Sequence, residues 1–162
     1  MDNVTRLLLR GAAGGEASDG EYIDNLFAAH FYTGVPGGSA TVNTGVNLSG
    51  SNEGMIWVKN LTAQSLQLLY DTVRGGGNAI YSDRNDAQGS SSDGPATFTS
   101  TGFTTGSAGA SQHMSWTFKS EPGFFDVVTY TGNGTGGTSI SHNLDSVPGM
   151  MIVKKTSGSG NW

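Results

Sequence analysis

The chain has no cysteine among its 162 residues, and this absence excludes disulfide bonds and thiolate metal ligands. Basic residues are also scarce: eight Lys and Arg stand against thirteen Asp and Glu, for a formal net charge of −5. Binding to the phosphate backbone of a nucleic acid requires clustered Lys and Arg, so we expect no nucleic acid as a partner. No apolar run approaches the ~20 residues of a membrane-spanning helix, so we also expect no membrane insertion.

Glycine, by contrast, is abundant and supplies 26 of the 162 residues. Many short strands joined by tight turns need this composition, whereas long helices do not. Intrinsic disorder is an alternative interpretation of so much Gly and Ser. Seven Phe, five Tyr and three Trp lie in regular apolar segments, and they favour a folded chain.

Short apolar segments with strand character recur along the chain. In the segment 113–119, Met114, Trp116 and Phe118 alternate with Ser115 and Thr117. Gly-rich or Ser-rich stretches separate the segments and are typical of turns. We therefore predict a mainly β protein: an antiparallel β-sandwich-like domain with Gly-rich loops, preceded by a short N-terminal arm. The predicted strands are 55–58, 66–70, 98–103, 113–119, 124–130 and 150–153.

Residues 21–31 have two interpretations. Tyr22, Leu26 and Ala29 fit the apolar stripe of a helix that Asp19 caps. Residues 26–31 equally fit a strand, and the sequence leaves both open.

The arm, residues 1–20, has one apolar patch followed by a stretch of Gly, Ala, Ser and acidic residues. A frayed terminus is the simplest interpretation. The alternative is that Leu7, Leu8 and Leu9 dock onto another subunit, because three adjacent leucines are otherwise exposed to water.

The chain also contains an internal repeat. Gly54-Met-Ile-Trp-Val-Lys59 reappears as Gly149-Met-Met-Ile-Val-Lys154, and upstream landmarks recur in the same order: Asn47-Leu48 as Asn143-Leu144, and Tyr32-Thr-Gly34 as Tyr130-Thr-Gly132. We predict a first β-rich unit at 21–124 and the start of a second, incomplete unit at 125–162. We expect this second unit to be completed by a longer polypeptide or by another chain.

We find no pattern of catalytic or metal-binding residues and predict a non-enzymatic protein without cofactor or metal. His30, His113 and His142 lack metal-ligand spacing, and neither HExxH nor GxSxG occurs. Residues 83–86 resemble part of a calcium loop but lack its Gly and distal Glu, so a solvated turn is expected there. The glycines of 132–137 indicate a β-turn and not a dinucleotide loop.

The three tryptophans raise the alternative of sugar binding by aromatic stacking. Trp57 and Trp116 lie within apolar strand segments, so we expect these two side chains to pack in the core.

Several segments resemble a domain that recurs in tail-fibre and virion proteins of marine phages, particularly cyanophages. The segments are EGMIWVKN, LLYDTVRGG, FTSTGFTTG, WTFKSEPGFFDVVTYTGNGTGG and ISHNLDSVPGMMIVKKT, and the similarity spans roughly residues 21–162. The resemblance implies a non-catalytic structural protein of the phage tail, without a cofactor. Its implied partners are other copies of itself in a homotrimer, phage tail or adaptor proteins, and a host surface glycan through a distal region. The alternatives are a carbohydrate-binding host-recognition module, a capsid or neck decoration protein, and a polysaccharide depolymerase.

Overall fold

A computed structural model of the chain describes residues 22–62, 67–91, 94–107 and 109–162. One short helix precedes eight strands in this described part of the chain. No helix within these ranges is long and apolar enough to cross a membrane. The elements are α1 (Ile23–Leu26), β1 (Phe27–Thr33), β2 (Thr41–Asn43), β3 (Gly54–Asn60), β4 (Gln67–Asp71), β5 (Ile80–Tyr81), β6 (Pro95–Thr99), β7 (Gly102–Thr105) and β8 (Gln112–Lys119).

The strands form two antiparallel sheets. One sheet has five strands in the order β1-β8-β3-β4-β5, and the other has three in the order β2-β7-β6. The central strand β3 pairs with β8 on one side and with β4 on the other. This arrangement confirms the predicted mainly β, antiparallel, sandwich-like fold.

The main core lies where the two sheets face each other. Ile56 and Val58 of β3 meet Val42 of β2 and Phe103 of β7, and each is no more than 2% exposed. Val46 and Leu48, from the connection between β2 and β3, complete this cluster. A smaller cluster of Leu68, Tyr70 and Ala79 packs beside it and shares Phe98 as a neighbour. Burial of these side chains is the principal stabilisation of the fold.

Two glycines let the backbone approach more closely than a side chain would allow. Gly102 opens β7 at a φ of +147° and lies against the carbonyl oxygen of Val42 in the neighbouring strand. Gly54 is the first residue of β3, and a β-carbon there would meet the carbonyl oxygen of Phe118 and the side chain of Leu48. A β-carbon at either position would collide with backbone, so the residue type is dictated by the packing.

The ambiguous segment 21–31 contains both elements in succession. A single helical turn, Ile23–Leu26, leads directly into strand β1. No side chain caps this turn at Tyr22, and Asp19, the predicted cap, lies outside the described residues. The change to strand occurs at Phe27, because from there each residue pairs with β8.

The prediction of strands at 124–130 and 150–153 was wrong. Residues 126–162 contain no strand, and Phe125 makes only an isolated bridge with Glu121. A strand gains its stability from hydrogen-bonded neighbours, and these residues have none beside them. Instead, residues 126–162, called the tail below, are attached to a loop of the first unit. The amide of Gln88 donates to the Thr156 carbonyl at 3.0 Å, and the amide of Gly160 donates to the Asn85 carbonyl at 2.7 Å.

Candidate functional site

The outward side of the five-stranded sheet carries a group of large apolar side chains that the core does not use. Burial alternates strictly along β3, where Gly54, Ile56, Val58 and Asn60 are buried and the residues between them are half-buried. The same alternation continues in β8. We call this surface the outer aromatic face, and it consists of Phe27, Phe31, Met55, Trp57, Met114, Trp116 and Phe118.

Strand register arranges these side chains in rows across the sheet. Trp57 lies opposite Trp116, with ring centroids 5.8 Å apart and planes inclined by 57°. Phe27 lies opposite Phe118, at 5.0 Å and 51°. Phe125 extends this second row, with its ring 5.2 Å from that of Phe118. Such cross-strand aromatic pairs each stabilise a sheet by roughly 0.5–1.5 kcal/mol.

The inward side of β8 is polar, although it faces the core. His113, Ser115 and Thr117 are all fully buried. The His113 ring stacks on Tyr32 at 5.0 Å and 12°, and its Nδ1 lies 3.0 Å from the Ser111 carbonyl. The Ser115 hydroxyl donates to the His30 carbonyl at 3.3 Å. These partners make the burial of His113 and Ser115 tolerable.

The expectation that Trp57 and Trp116 pack in the core was therefore wrong. Both lie on the outer aromatic face and are half-buried. The physical reason is volume: Ile56, Val58 and Phe103 already fill the space between the sheets, and the facing side of β8 has only small or flat side chains. Two indole rings would overfill this space.

The outer aromatic face has the chemistry of a protein–protein contact surface. Phe31 is 71% exposed at the edge strand β1, which adds an aromatic ring open to water. Polar residues border this face: Lys59 of β3, and Gln67 and Asp71 of β4, which lie opposite Lys59 and Met55. A contiguous apolar patch on a soluble domain typically marks a binding surface.

A shallow hollow of about 590 Å³ lies elsewhere, between the loop that follows β5 and the end of the tail. The indole Nε1 of Trp162 donates to the Tyr81 carbonyl at 2.9 Å, which fixes the orientation of the ring. The Lys154 ammonium lies 5.5 Å from the ring centroid. Trp162 itself is 43% exposed. The lining residues are Ser82, Asp83, Arg84, Asn85, Asp86, Asn161 and Trp162.

The remaining residues singled out in the sequence lie apart from one another. Residues 83–86 form an exposed turn at the hollow, His142 is exposed, and His113 is buried. Within the described ranges, no three His, Asp or Glu side chains come close enough to hold a metal ion. Leu7, Leu8 and Leu9, the predicted docking residues, lie outside the described residues.

No sequence pattern indicated that Phe27 and Phe31 are surface residues. β1 reads Phe-Ala-Ala-His-Phe-Tyr-Thr, so that both of its sides carry an aromatic ring and neither is plainly polar. The usable signal was the alternation of 113–119, which separates two sides of β8 but does not tell which side faces the core.

Fold and surface together define a mainly β, sandwich-like domain with an apolar outer sheet face. The chain belongs to a family described as a domain of unknown function, DUF7483, which matches residues 23–122 and, a second time, residues 119–162. The second range covers the residues that the internal repeat assigns to a second unit, and the bounds of the units stay a prediction. Comparison with the curated proteins and with the solved structures found no match.

Proposed function

We propose that this chain is a non-catalytic structural protein of a bacteriophage virion, most specifically a tail-fibre protein in which several copies associate. The observation that carries the assembly role is the outer aromatic face. The phage assignment rests on the resemblance of the segments described above to phage tail-fibre and virion proteins. The same resemblance supports a homotrimer.

The rows of the outer aromatic face have the residue types that an interface between copies needs. Aromatic side chains and Met are enriched in interface cores, and charged side chains are depleted there. The paired Trp57 and Trp116 rings form a pre-ordered centre, since their positions are fixed by the strands. Phe31 extends the apolar area to the edge of the sheet, where a second copy has free access.

The attachment of the protein to the particle is assigned to the arm, residues 1–20, with Leu7, Leu8 and Leu9 as the docking residues. Its partners are phage tail or adaptor proteins, and a host surface glycan is bound by a distal region. A capsid or neck decoration protein is the alternative location. A tail-fibre protein and a capsid or neck decoration protein differ in their position on the particle. A reconstruction of the particle by electron microscopy distinguishes them.

The assembly role is tested by sedimentation of the purified chain over a range of concentrations. We expect a species of three times the 16.7 kDa chain mass. Replacing Phe31 by Arg places a charge in the interface and should give monomers at concentrations where the unchanged chain is trimeric. Val147→Arg, at a position 93% exposed on the tail, is the matched control and should remain trimeric.

A chain that stays monomeric at every concentration would contradict self-association. Equal effects of the two arginine variants would show that the outer aromatic face is not the interface. Because Phe31 is already 71% exposed, its replacement should leave the fold intact, and circular dichroism checks this directly.

A second candidate function, carbohydrate recognition, is favoured by the hollow beside Trp162. An exposed indole ring with Asp, Asn and Arg side chains around it matches the needs of a sugar, which offers apolar C–H faces for stacking and hydroxyls for hydrogen bonds. The hydrogen bond to the Tyr81 carbonyl already orders the ring in the folded chain, so a sugar does not have to order it.

A further inference from the structure

The tail segment Gly149–Lys154 repeats the sequence of the central strand β3 but has a different environment. Its four apolar side chains are exposed: Met150 by 77%, Met151 by 78%, Ile152 by 60% and Val153 by 58%. A run of four consecutive apolar residues in water is unfavourable for a soluble protein. A strand sequence without neighbouring strands accounts for this exposure.

Strand β3 shows what surroundings such a sequence requires. Ile56 and Val58 point into the core and are 0% and 1% exposed. β3 reaches this state because β8 pairs along one edge, with Ile56 opposite Thr117, and β4 pairs along the other edge, with Ile56 opposite Tyr70. By position in the repeat, Met151 and Val153 correspond to these two core residues.

Two further residues of the tail fit the same correspondence. Leu144 stands in the place of Leu48, which is a core residue of the first unit with 2% exposure. The Leu144 carbonyl accepts a hydrogen bond from the amide of Gly123 at 2.8 Å, and the side chain is half-buried. The second match of the family, at 119–162, is an independent observation in the same region.

We infer that residues 125–162 contribute to a second sandwich of the same family, and that Gly149–Lys154 is its central strand, which has no strand beside it in this structure. The strand accepts a polypeptide of this same family, equivalent to residues 67–119 of the first unit. That polypeptide places a β8-type strand along one edge and a β4-type strand along the other. The inference does not depend on a role in a phage particle, since it concerns which polypeptide completes this sheet.

The geometry of the first unit fixes the chemistry of the incoming strand. On the β8 side, small polar residues must lie opposite Met151 and Val153, as Thr117 and Ser115 lie opposite Ile56 and Val58. Aromatic residues then alternate with them on the outer side, beside Met150 and Ile152. A strand with the opposite alternation would direct its aromatic side chains into a space already filled by its neighbours.

The test changes the chain so that it supplies the neighbouring strands itself. In this extended chain, a polypeptide with the sequence of residues 60–122 follows Lys154 in place of residues 155–162, and amide hydrogen exchange is measured by nuclear magnetic resonance. In the unextended chain, we expect the amides of residues 150–153 to exchange close to the rate of an open chain. In the extended chain they should slow by roughly a thousandfold or more, as amides in core strands do.

A pair of variants in the extended chain tests which side faces the core. Met151→Asp should abolish the protection of residues 150–153, whereas Met150→Asp, on the outer side, should retain most of it. The amides of β3 report in every sample that the first unit is folded. Unprotected amides at 150–153 in the extended chain, with β3 still protected, would overturn the inference, as would equal effects of the two aspartates.

Discussion

Replacing Phe103 by Ala tests the central feature of the fold, the core between the two sheets. Phe103 is fully buried against Val42, Ile56 and Val58, and its ring meets that of Tyr32 edge-on at 5.6 Å. A buried Phe removes at least ~150 Å² from water, which at ~25 cal/mol per Å² corresponds to about 4 kcal/mol. Ala retains a small part of this burial, while the cavity left behind adds a cost of its own.

We therefore expect the free energy of unfolding to fall by about 4 kcal/mol, within the range of roughly 3–5 kcal/mol seen for buried Phe-to-Ala changes. For a unit of about 100 residues, this lowers Tm by roughly 15–30 °C. Urea unfolding followed by the fluorescence of the tryptophans measures the change. The midpoint should move without a change in slope, because the surface exposed on unfolding stays the same.

Phe31→Ala is the matched control, with the same chemical change at a position 71% exposed. Its cost should stay within about 0.5 kcal/mol when the chain is dilute enough to be monomeric. If Phe103→Ala cost less than about 1 kcal/mol, or no more than Phe31→Ala, the assignment of the core to this side of the sheet would be refuted.

Two further predictions concern a glycine of β3 and the hollow. Gly54→Ala should lower the free energy of unfolding by roughly 1–3 kcal/mol, because the new β-carbon meets the Phe118 carbonyl and Leu48. Gly132 has open space around it, so Gly132→Ala is the control and should change this free energy by less than about 0.5 kcal/mol. Thermal unfolding measures both changes. If the hollow binds sugars, a glycan array should detect binding by the unchanged chain. Trp162→Ala should lower this binding at least tenfold, and Trp116→Ala should not. Equal losses in the two variants would argue against the hollow as the sugar site.

The sequence predicted only some strands of the first unit, and the strand predicted at 98–103 is in fact the hairpin of β6 and β7. Strands β3, β4 and β8 carry compact or alternating apolar patterns and appear close to the predicted positions. β2 and β5, with three and two residues, are too short to show a period and are defined only by their pairing with β7 and β4. Tertiary pairing, not local preference, determines such strands.

The orientation of β8 shows a different limit. Alternation of Trp116 with Ser115 and Thr117 was visible, and hydrophobicity alone favours the tryptophan side as the core side. The structure has the opposite arrangement, because the space between the sheets is filled by side chains from β2, β3 and β7. β2 and β3 lie far from β8 in sequence, and β7 is a separate strand, so no local pattern of β8 reports the volume that they leave for it.

This reversed orientation has a consequence for assembly. A domain that placed Trp57 and Trp116 between its sheets would bury most of its aromatic area in folding alone. Here, His113, Ser115 and Thr117 of β8 face the core, and the aromatic rings remain half-buried on the outside. The tail shows a similar feature: Met151 and Val153 correspond in the repeat to the core residues Ile56 and Val58 but are exposed. On both surfaces apolar side chains remain in contact with water, and the proposed contacts with further polypeptide would cover them.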